Sequence, residues 1–343
     1  MNAISLFDRE YVYIAGLPFV TINHLQRFPQ HRVDQIRSEN KELISLSYHL
    51  TGGAIFFETN ATKIVFDITY ESEPVMNHMS PSGEAGFDIY LIENNEYVFY
   101  ECIRPFPRQK KVTWHVSLPE KTQNVVMIYT PLYMRVLTAT MLIENTYWVK
   151  PYIHQFNKRI LWYGTSITQG ACASRPGMMY TNIVSRLLNI EIINFGFSGN
   201  GLGELSVGEV IHDIKHLDSV IIDYEANAGS SNKLRTTLLP WIEMVRKKHP
   251  TIPIIVVSRI PFIKDRWYSR DYDKRCEDKM FQRTTVDLNR HLHPLYFIDG
   301  ETLIHKLEYD VTVDGIHLND VGMMLFAQRI TPIINSYINN GKI

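Results

Sequence analysis

Residues 160–170 read ILWYGTSITQG, and this stretch decides how the second part of the chain folds. Its four leading apolar residues are typical of a buried strand, which stops at Gly164 and is followed at once by Ser166. In an open α/β sheet, ligands bind beyond the carboxyl ends of the strands. The pattern therefore places the Ser166 hydroxyl at a binding edge, although a serine there could instead cap the following helix.

The far end of the chain favours a catalytic serine over a helix cap. Asp314 stands three residues before His317, and an apolar, helix-like run follows. A carboxylate at this spacing can orient the imidazole while the imidazole faces a serine, which is the arrangement that activates a hydroxyl nucleophile. We therefore predict a catalytic triad of Ser166, His317 and Asp314.

Two further segments offer hydrogen-bond donors, and each follows a strand-like run. Gly199 lies in a glycine-rich loop after residues 190–193, and Asn227 lies after residues 220–222. A glycine N–H and an asparagine amide could join the N–H of Ser166 as three donors to an oxyanion. A glycine-rich loop alone is usually only a turn, so the prediction depends on the order of all four segments.

This set of motifs resembles the SGNH, or GDSL-type, hydrolase family. The corresponding positions are Gly164-Thr165-Ser166 for the first block, Gly199 for the second, Asn227 for the third, and Asp314 with His317 for the fifth. Thr165 stands where the family more often has Asp. The third block also departs from the usual Gly-x-Asn-Asp, because Glu225 begins it and places a carboxylate close to the expected site.

The first part of the chain is similar to a two-domain branch of the same family, which carries a Gly-x-Asp-Leu-Tyr motif in an N-terminal β-domain. The match here is the motif at residues 86–90, GFDIY. The resemblance implies that the loop before this motif leans over the catalytic face, although an ordinary sandwich loop would fit the pattern as well. Asn77, His78, Asp88 and Glu225 are accordingly expected as possible substrate-binding residues.

The two parts of the chain differ in the period of their apolar residues. Up to about residue 150 the apolar residues alternate with period two, as in residues 63–70, and Asn94-Asn95 forms a hairpin-like turn. This predicts an all-β sandwich or jelly roll over residues 1–152. Beyond it, five apolar runs alternate with helical periodicity, which predicts a three-layer α/β/α, flavodoxin-like domain with a parallel sheet over residues 153–343.

Composition excludes several function classes. The formal net charge of −1 gives no electrostatic case for binding nucleic acid or an anionic membrane, and no run is long enough to span a bilayer. The three cysteines are far apart, and the pair His212 and His216 has Asp213 where the zinc-protease motif HExxH has glutamate. We expect no metal and no cofactor.

The beginning of the sequence carries no secretory pattern, so the expected location is cytoplasmic. A homo-oligomer stays possible.

The function expected from these residues is that of a serine esterase. The resemblance implies hydrolysis of a short acyl ester, with acetyl on a sugar or another hydroxylated small molecule as the leading expectation. Cys172 is near Ser166 in sequence, but we interpret it as a packed side chain rather than a nucleophile. An acyltransferase or a non-catalytic ligand-binding protein on the same scaffold is the alternative.

Overall fold

The protein is described by a computed structural model that covers residues 1–229 and 231–339. Strands and α-helices are numbered in chain order. The strands are β1 (Asn2–Ser5), β2 (Tyr13–Ala15), β3 (Ala54–Thr59), β4 (Lys63–Tyr70), β5 (Phe87–Glu93), β6 (Glu96–Ile103), β7 (Lys111–Ser117), β8 (Asn124–Tyr129), β9 (Val136–Ile143), β10 (Val149–Pro151), β11 (Lys158–Gly164), β12 (Ile190–Gly196), β13 (Ser219–Asp223), β14 (Ile254–Val257) and β15 (Leu295–Ile298). The helices are α1 (Val33–Glu39), α2 (Glu42–Ser47), α3 (Pro81–Ala85), α4 (Ser166–Gln169), α5 (Tyr180–Leu188), α6 (Leu205–Glu209), α7 (Glu225–Ala228), α8 (Lys233–Lys248), α9 (Ile263–Trp267), α10 (Ser269–Leu288) and α11 (Asp320–Asn339).

The first part of the chain forms two antiparallel sheets that share one core. One sheet has the strand order β1-β9-β4-β7, and the other has the order β10-β3-β8-β5-β6 with β2 added beside β3. Alternate residues of β4 are buried, from Ile64 through Phe66 and Ile68 to Tyr70, because successive side chains of a strand point to opposite faces. The hairpin turn is also confirmed, since Asn94 and Asn95 both have positive φ angles. The predicted β-sandwich is therefore confirmed.

The second part of the chain contains a parallel sheet with the order β12-β11-β13-β14-β15, which confirms the predicted five strands. Its buried strands are covered by helices on both faces, as predicted. The register pairs Gly164 at the end of β11 with Gly196 of β12 on one side and with Asp223 of β13 on the other. The chain order reverses at β11, and such a switch point opens a crevice at the carboxyl ends of the strands.

The helices bury the apolar faces that their periodicity predicted. In α8, Leu234, Leu238, Trp241, Ile242 and Val245 are all buried, with the Trp241 ring stacked on that of Tyr163 in the sheet. The apolar, helix-like run after His317 forms the final helix α11, which spans Asp320–Asn339.

Two short helices, α1 and α2, were missed by the sequence analysis, and they pack on the α/β sheet rather than inside the sandwich. Ile36 and Leu43 share a core with Phe195 of β12. Each helix has only six or seven residues, too few for a periodic pattern to stand out. The division of the chain at residue 152 stays a prediction. At this point β10 still pairs with β3 of the sandwich.

A buried ion pair joins the sandwich to the α/β part. The side chain of Asp88, within the GFDIY motif, is completely buried, and its Oδ2 accepts hydrogen bonds from Arg175 Nη1 at 2.6 Å and from the Gly177 N–H at 2.7 Å. Nearby, a Cβ on Gly83 would lie 2.2 Å from the carbonyl oxygen of Ala173, so only glycine permits this close approach of the two segments. Asp88 is thus a structural anchor and not the substrate contact that the sequence suggested.

Among the described residues, no helix combines the length and the apolar character that crossing a membrane requires.

We expect Asp88→Ala to lower the free energy of unfolding by about 2–3 kcal/mol, because it leaves a largely buried guanidinium and an N–H without their acceptor. Urea denaturation measures this change. Glu71→Ala is the matched control, since it removes an exposed partner of Arg135 and should cost less than about 1 kcal/mol. Equal losses for the two variants would contradict the anchoring role of Asp88.

Candidate active site

Ser166 is the first residue of α4, directly after a tight turn from β11 that requires a glycine. A Cβ on Gly164 would lie 2.0 Å from Thr168 Oγ1, so the strand can end against the helix only at a glycine. Thr165 is the residue that caps α4, because its Oγ1 accepts a hydrogen bond from the Ile167 N–H at 3.3 Å. The capping role considered for Ser166 is therefore filled by its neighbour.

The structure brings Ser166, His317 and Asp314 together in one hydrogen-bonded chain. Ser166 Oγ lies 2.8 Å from His317 Nε2, and His317 Nδ1 lies 2.7 Å from Asp314 Oδ2. Burial raises the pKa of Asp314, but hydrogen bonds from the backbone and side chain of His317 outweigh it and leave the pKa below its usual value. Asp314 thus stays ionised at neutral pH and orients the imidazole, which keeps 18% of its side chain exposed.

The predicted oxyanion donors are carried by elements that contact the serine turn. The N–H of Phe197 donates to Gly164 O at 3.1 Å, which ties the glycine-rich loop to the end of β11. Gly199 in that loop has a φ of 68°, and a Cβ there would meet no described atom within 4 Å. The Asn227 side chain reaches the same loop, where its amide oxygen can accept from the N–H of Gly201 at 3.2 Å.

The two backbone donors also have no competing partner. Among the described residues, neither the N–H of Ser166 nor that of Gly199 donates to another protein group. These groups can therefore donate to a ligand without losing a protein hydrogen bond. A shared oxyanion site for Ser166, Gly199 and Asn227 stays a proposal.

The sandwich domain supplies contacts to the serine turn that the sequence analysis missed. The hydroxyl of Tyr133 donates to Ser166 O at 3.1 Å, and Thr51 Oγ1 donates to Gln169 O at 2.7 Å. The buried Gln169 side chain donates to Leu132 O at 3.0 Å and accepts from the Ser198 N–H at 2.9 Å. No motif marks these residues, because they become neighbours only when the two parts of the chain pack together.

The loop before α3 lies beside the triad, as the resemblance implied. Glu84 fixes its course by accepting from the N–H groups of Val75 at 3.3 Å and Met76 at 3.0 Å. The ring of His78 comes within 5.8 Å of the His317 ring, centroid to centroid, and the Asn77 side chain is exposed with its Oδ1 3.0 Å from His78 Nδ1. Substrate contacts by Asn77 and His78 stay a proposal.

Glu225 does not face the site, which corrects its suggested role in substrate binding. Its carboxylate is buried, and its Oε2 accepts from the Arg259 N–H at 2.7 Å and from Gln282 Nε2 at 2.6 Å. Burial raises the pKa of Glu225 to about 7. Glu225 thus fastens the Asn227 turn to the segment after β14 and to α10.

Asp223 is a half-buried carboxyl group that lies directly beneath the serine turn. The hydroxyls of Tyr180 and Thr168 donate to its Oδ2 at 3.2 Å and 3.4 Å. Burial raises the pKa of Asp223 to about 7. Its position at the end of β13 could have been read from the sequence, but its burial could not.

Cys172 is also close to the triad, but its thiol is not a rival nucleophile. Burial, together with the nearby charge of Asp314, raises the pKa of the Cys172 thiol to about 12. Because the thiolate is the reactive form, a thiol with this pKa is inert at neutral pH.

A cavity of about 620 Å³ lies on the other side of the loop that carries Asp314. Trp267, Tyr272 and Leu307 are among its lining residues, whereas Ser166 and His317 are not. The N–H of Ile263, in its wall, donates to Gly315 O at 2.9 Å. The cavity therefore shares a wall with the triad loop but does not contain the reacting groups.

Comparison with known proteins identifies the family. Residues 157–335 match the model of the GDSL-like lipase/acylhydrolase family, and residues 9–145 match the GxDLY model, described as the N-terminus of SGNH-hydrolase-type esterases. The chain belongs to the GDSL-like lipase/acylhydrolase family. Its class is that of the carboxylic ester hydrolases, as predicted. Among curated proteins, none matches the chain in sequence.

Solved structures share the two-part fold over nearly the whole chain. A GDSL-like lipase from Bacteroides ovatus has a TM-score of 0.88 at 23% identity, with 98% of each chain covered. The salicylyl-acyltransferase SsfX3 from a tetracycline biosynthetic pathway has a TM-score of 0.80 at 15% identity, covering 98% of this chain and 97% of that one. A family two carbohydrate esterase from Clostridium thermocellum, in complex with cellohexaose, has a TM-score of 0.62 at 16% identity, covering 84% and 93%.

We expect Asp223 to contribute a loss of stability to this GDSL-family protein as the pH rises from about 4 to about 7. A raised carboxyl pKa means that the folded state holds a proton that the unfolded state, with a pKa near 3.9 for Asp, has already lost. Asp223→Asn should therefore show a smaller loss of melting temperature between pH 5 and pH 7.5 than the wild type does.

The control for this measurement is Asp34→Asn, whose carboxylate is 93% exposed and should leave the pH dependence unchanged. An Asp223→Asn variant with the same pH slope as the wild type would show that Asp223 is ionised in the folded protein.

Proposed function

We propose that this protein is a serine esterase that hydrolyses short acyl esters through an acyl-enzyme. The observation that carries the proposal is the unbroken hydrogen-bonded chain from Ser166 Oγ through His317 to Asp314. The complete set of reacting groups favours catalysis over a protein that only binds a ligand on the same scaffold.

The reaction takes place in two halves. Ser166 Oγ attacks the ester carbonyl carbon while His317 Nε2 takes the hydroxyl proton; the C–O bond to the alcohol then breaks, and His317 returns the proton to the leaving oxygen. A water molecule next attacks the acyl-serine while His317 takes its proton; the bond from the acyl carbon to Oγ then breaks, the acid leaves, and His317 returns the proton to Ser166 Oγ. Asp314 holds the imidazole in the required tautomer throughout.

The negative charge that develops on the carbonyl oxygen needs donors already in place. We assign this role to the N–H groups of Ser166 and Gly199 and to the side-chain amide of Asn227. Asn227 contacts the loop of Gly199, and that loop contacts Gly164 beside Ser166. These contacts support the proposal that the three donors bind the same oxygen atom. Donors fixed in this way stabilise the transition state without reorganising during the reaction.

The proposed substrate is an ester of a sugar or another hydroxylated small molecule, with acetyl as the acyl group. The structural similarity to a carbohydrate esterase bound to cellohexaose supports a carbohydrate alcohol. The exposed Asn77 and the half-buried His78 stand beside the triad, where a polyhydroxylated leaving group could form hydrogen bonds. The preference for acetyl rests on the family resemblance.

Acyl transfer is the second candidate function, since an alcohol can take the place of water in the second half-reaction. The likeness to a salicylyl-acyltransferase over the length of the chain favours including it. Product analysis with an aryl acetate and a sugar acceptor separates the two: free acetate alone indicates hydrolysis, and an acetylated sugar indicates transfer.

We expect Ser166→Ala to lower kcat for an aryl acetate by several orders of magnitude and to abolish labelling by a fluorophosphonate, because the nucleophile is lost. Steady-state kinetics and mass spectrometry of the labelled protein measure both effects. Cys172→Ala is the matched control and should keep activity and labelling. Undiminished labelling of a folded Ser166→Ala variant would contradict the assignment.

We expect Asn227→Ala to lower kcat by about 10²–10³ with little change in KM, because an oxyanion donor acts mainly in the transition state. The measurement is a kinetic comparison on one aryl ester. A rise in KM at constant kcat would instead make Asn227 a ground-state binding residue.

A further inference from the structure

Three metal-ligating side chains converge on the catalytic face, although they are scattered along the sequence. The ligand atoms of His78, Cys172 and His317 all lie within 4.8 Å of one another. They come from the loop before α3, the segment after α4 and the triad loop. The sequence analysis expected no metal because no spacing rule connects these positions.

The chemistry of the three ligands selects a particular class of ion. Coordination would displace the Cys172 thiol proton to solvent, and two imidazole nitrogens with the resulting thiolate suit a borderline-soft cation that prefers four ligands, such as Zn²⁺. A fourth position could be filled by water or by Ser166 Oγ, which already lies 2.8 Å from His317 Nε2.

The second observation is that both imidazoles are already held as zinc ligands usually are. A metal-bound histidine normally gives its other ring N–H to an acceptor, which fixes the tautomer and the ring orientation. Asp314 Oδ2 lies 2.7 Å from Nδ1 of His317, and Asn77 Oδ1 lies 3.0 Å from Nδ1 of His78. When each Nδ1–H donates in this way, the lone pair that a metal ion could use is on Nε2.

We propose that a borderline-soft divalent cation such as Zn²⁺ binds across His78, Cys172 and His317 and reversibly switches the esterase off. Coordination uses the lone pair of His317 Nε2, which is the atom that must take the proton from Ser166. The partial exposure of His317 gives the ion access from solvent. Inhibition rests on the proposed function, whereas metal binding itself does not.

Cobalt binding to the full chain tests the site independently of activity. After treatment with a chelator, the wild-type protein titrated with Co²⁺ should show thiolate-to-cobalt absorption in the near ultraviolet and visible bands of a four-coordinate ion. Cys172→Ala should lose the thiolate band, and Cys276→Ala, which removes a cysteine elsewhere, should retain it. A wild-type protein without the band, or a Cys172→Ala variant that keeps it, would overturn the proposal.

Zinc titration of the aryl acetate assay tests the consequence. We expect inhibition of the wild type that EDTA reverses, and at least a tenfold higher inhibition constant for Cys172→Ala with its basal activity retained. Activation by Zn²⁺, or equal inhibition of the wild type and Cys172→Ala, would overturn the inhibitory site. If no esterase activity is found at all, the proposed function fails, while the cobalt spectrum still decides whether the metal binds.

Discussion

The 2.8 Å contact between Ser166 Oγ and His317 Nε2 is the constraint that the whole fold has to satisfy. It joins residues 151 positions apart, so it forms only if the parallel sheet aligns its strand ends and the last loop returns over them. The register that pairs Gly164 with Gly196 and Asp223 provides the alignment. The return of the loop is fixed from outside the sheet, where the N–H of Ile263 holds the carbonyl of Gly315.

The sandwich domain contacts the serine turn directly. Tyr133 and Thr51 hold the backbone of the serine turn, and the buried Gln169 links that turn to Leu132 on one side and to Ser198 on the other. An oxyanion site depends on donors held within a few tenths of an ångström. The sandwich therefore holds the serine turn and the glycine-rich loop together.

The sequence allowed prediction of residues that belong to local motifs. It did not allow prediction of residues whose position depends on tertiary packing. The proximity of Ser166, His317 and Asp314 could be predicted from two patterns. A glycine at a strand end exposes the serine that follows, and the Asp-x-x-His spacing lets the carboxylate orient the imidazole. Glu225 was misjudged because a position next to Asn227 does not reveal whether a carboxylate points into the site or into the core. The same limit applies to the supporting hydroxyls of the sandwich and to the short helices α1 and α2, whose packing partners are distant in sequence.

A crystal structure of the protein inactivated by an aryl phosphonate would test the account most directly. The account predicts phosphorus bonded to Ser166 Oγ, with the phosphonyl oxygen about 2.7–3.1 Å from the N–H groups of Ser166 and Gly199 and from Asn227 Nδ2. Phosphorus bonded to any other residue, or a phosphonyl oxygen turned to solvent away from these three donors, would contradict it.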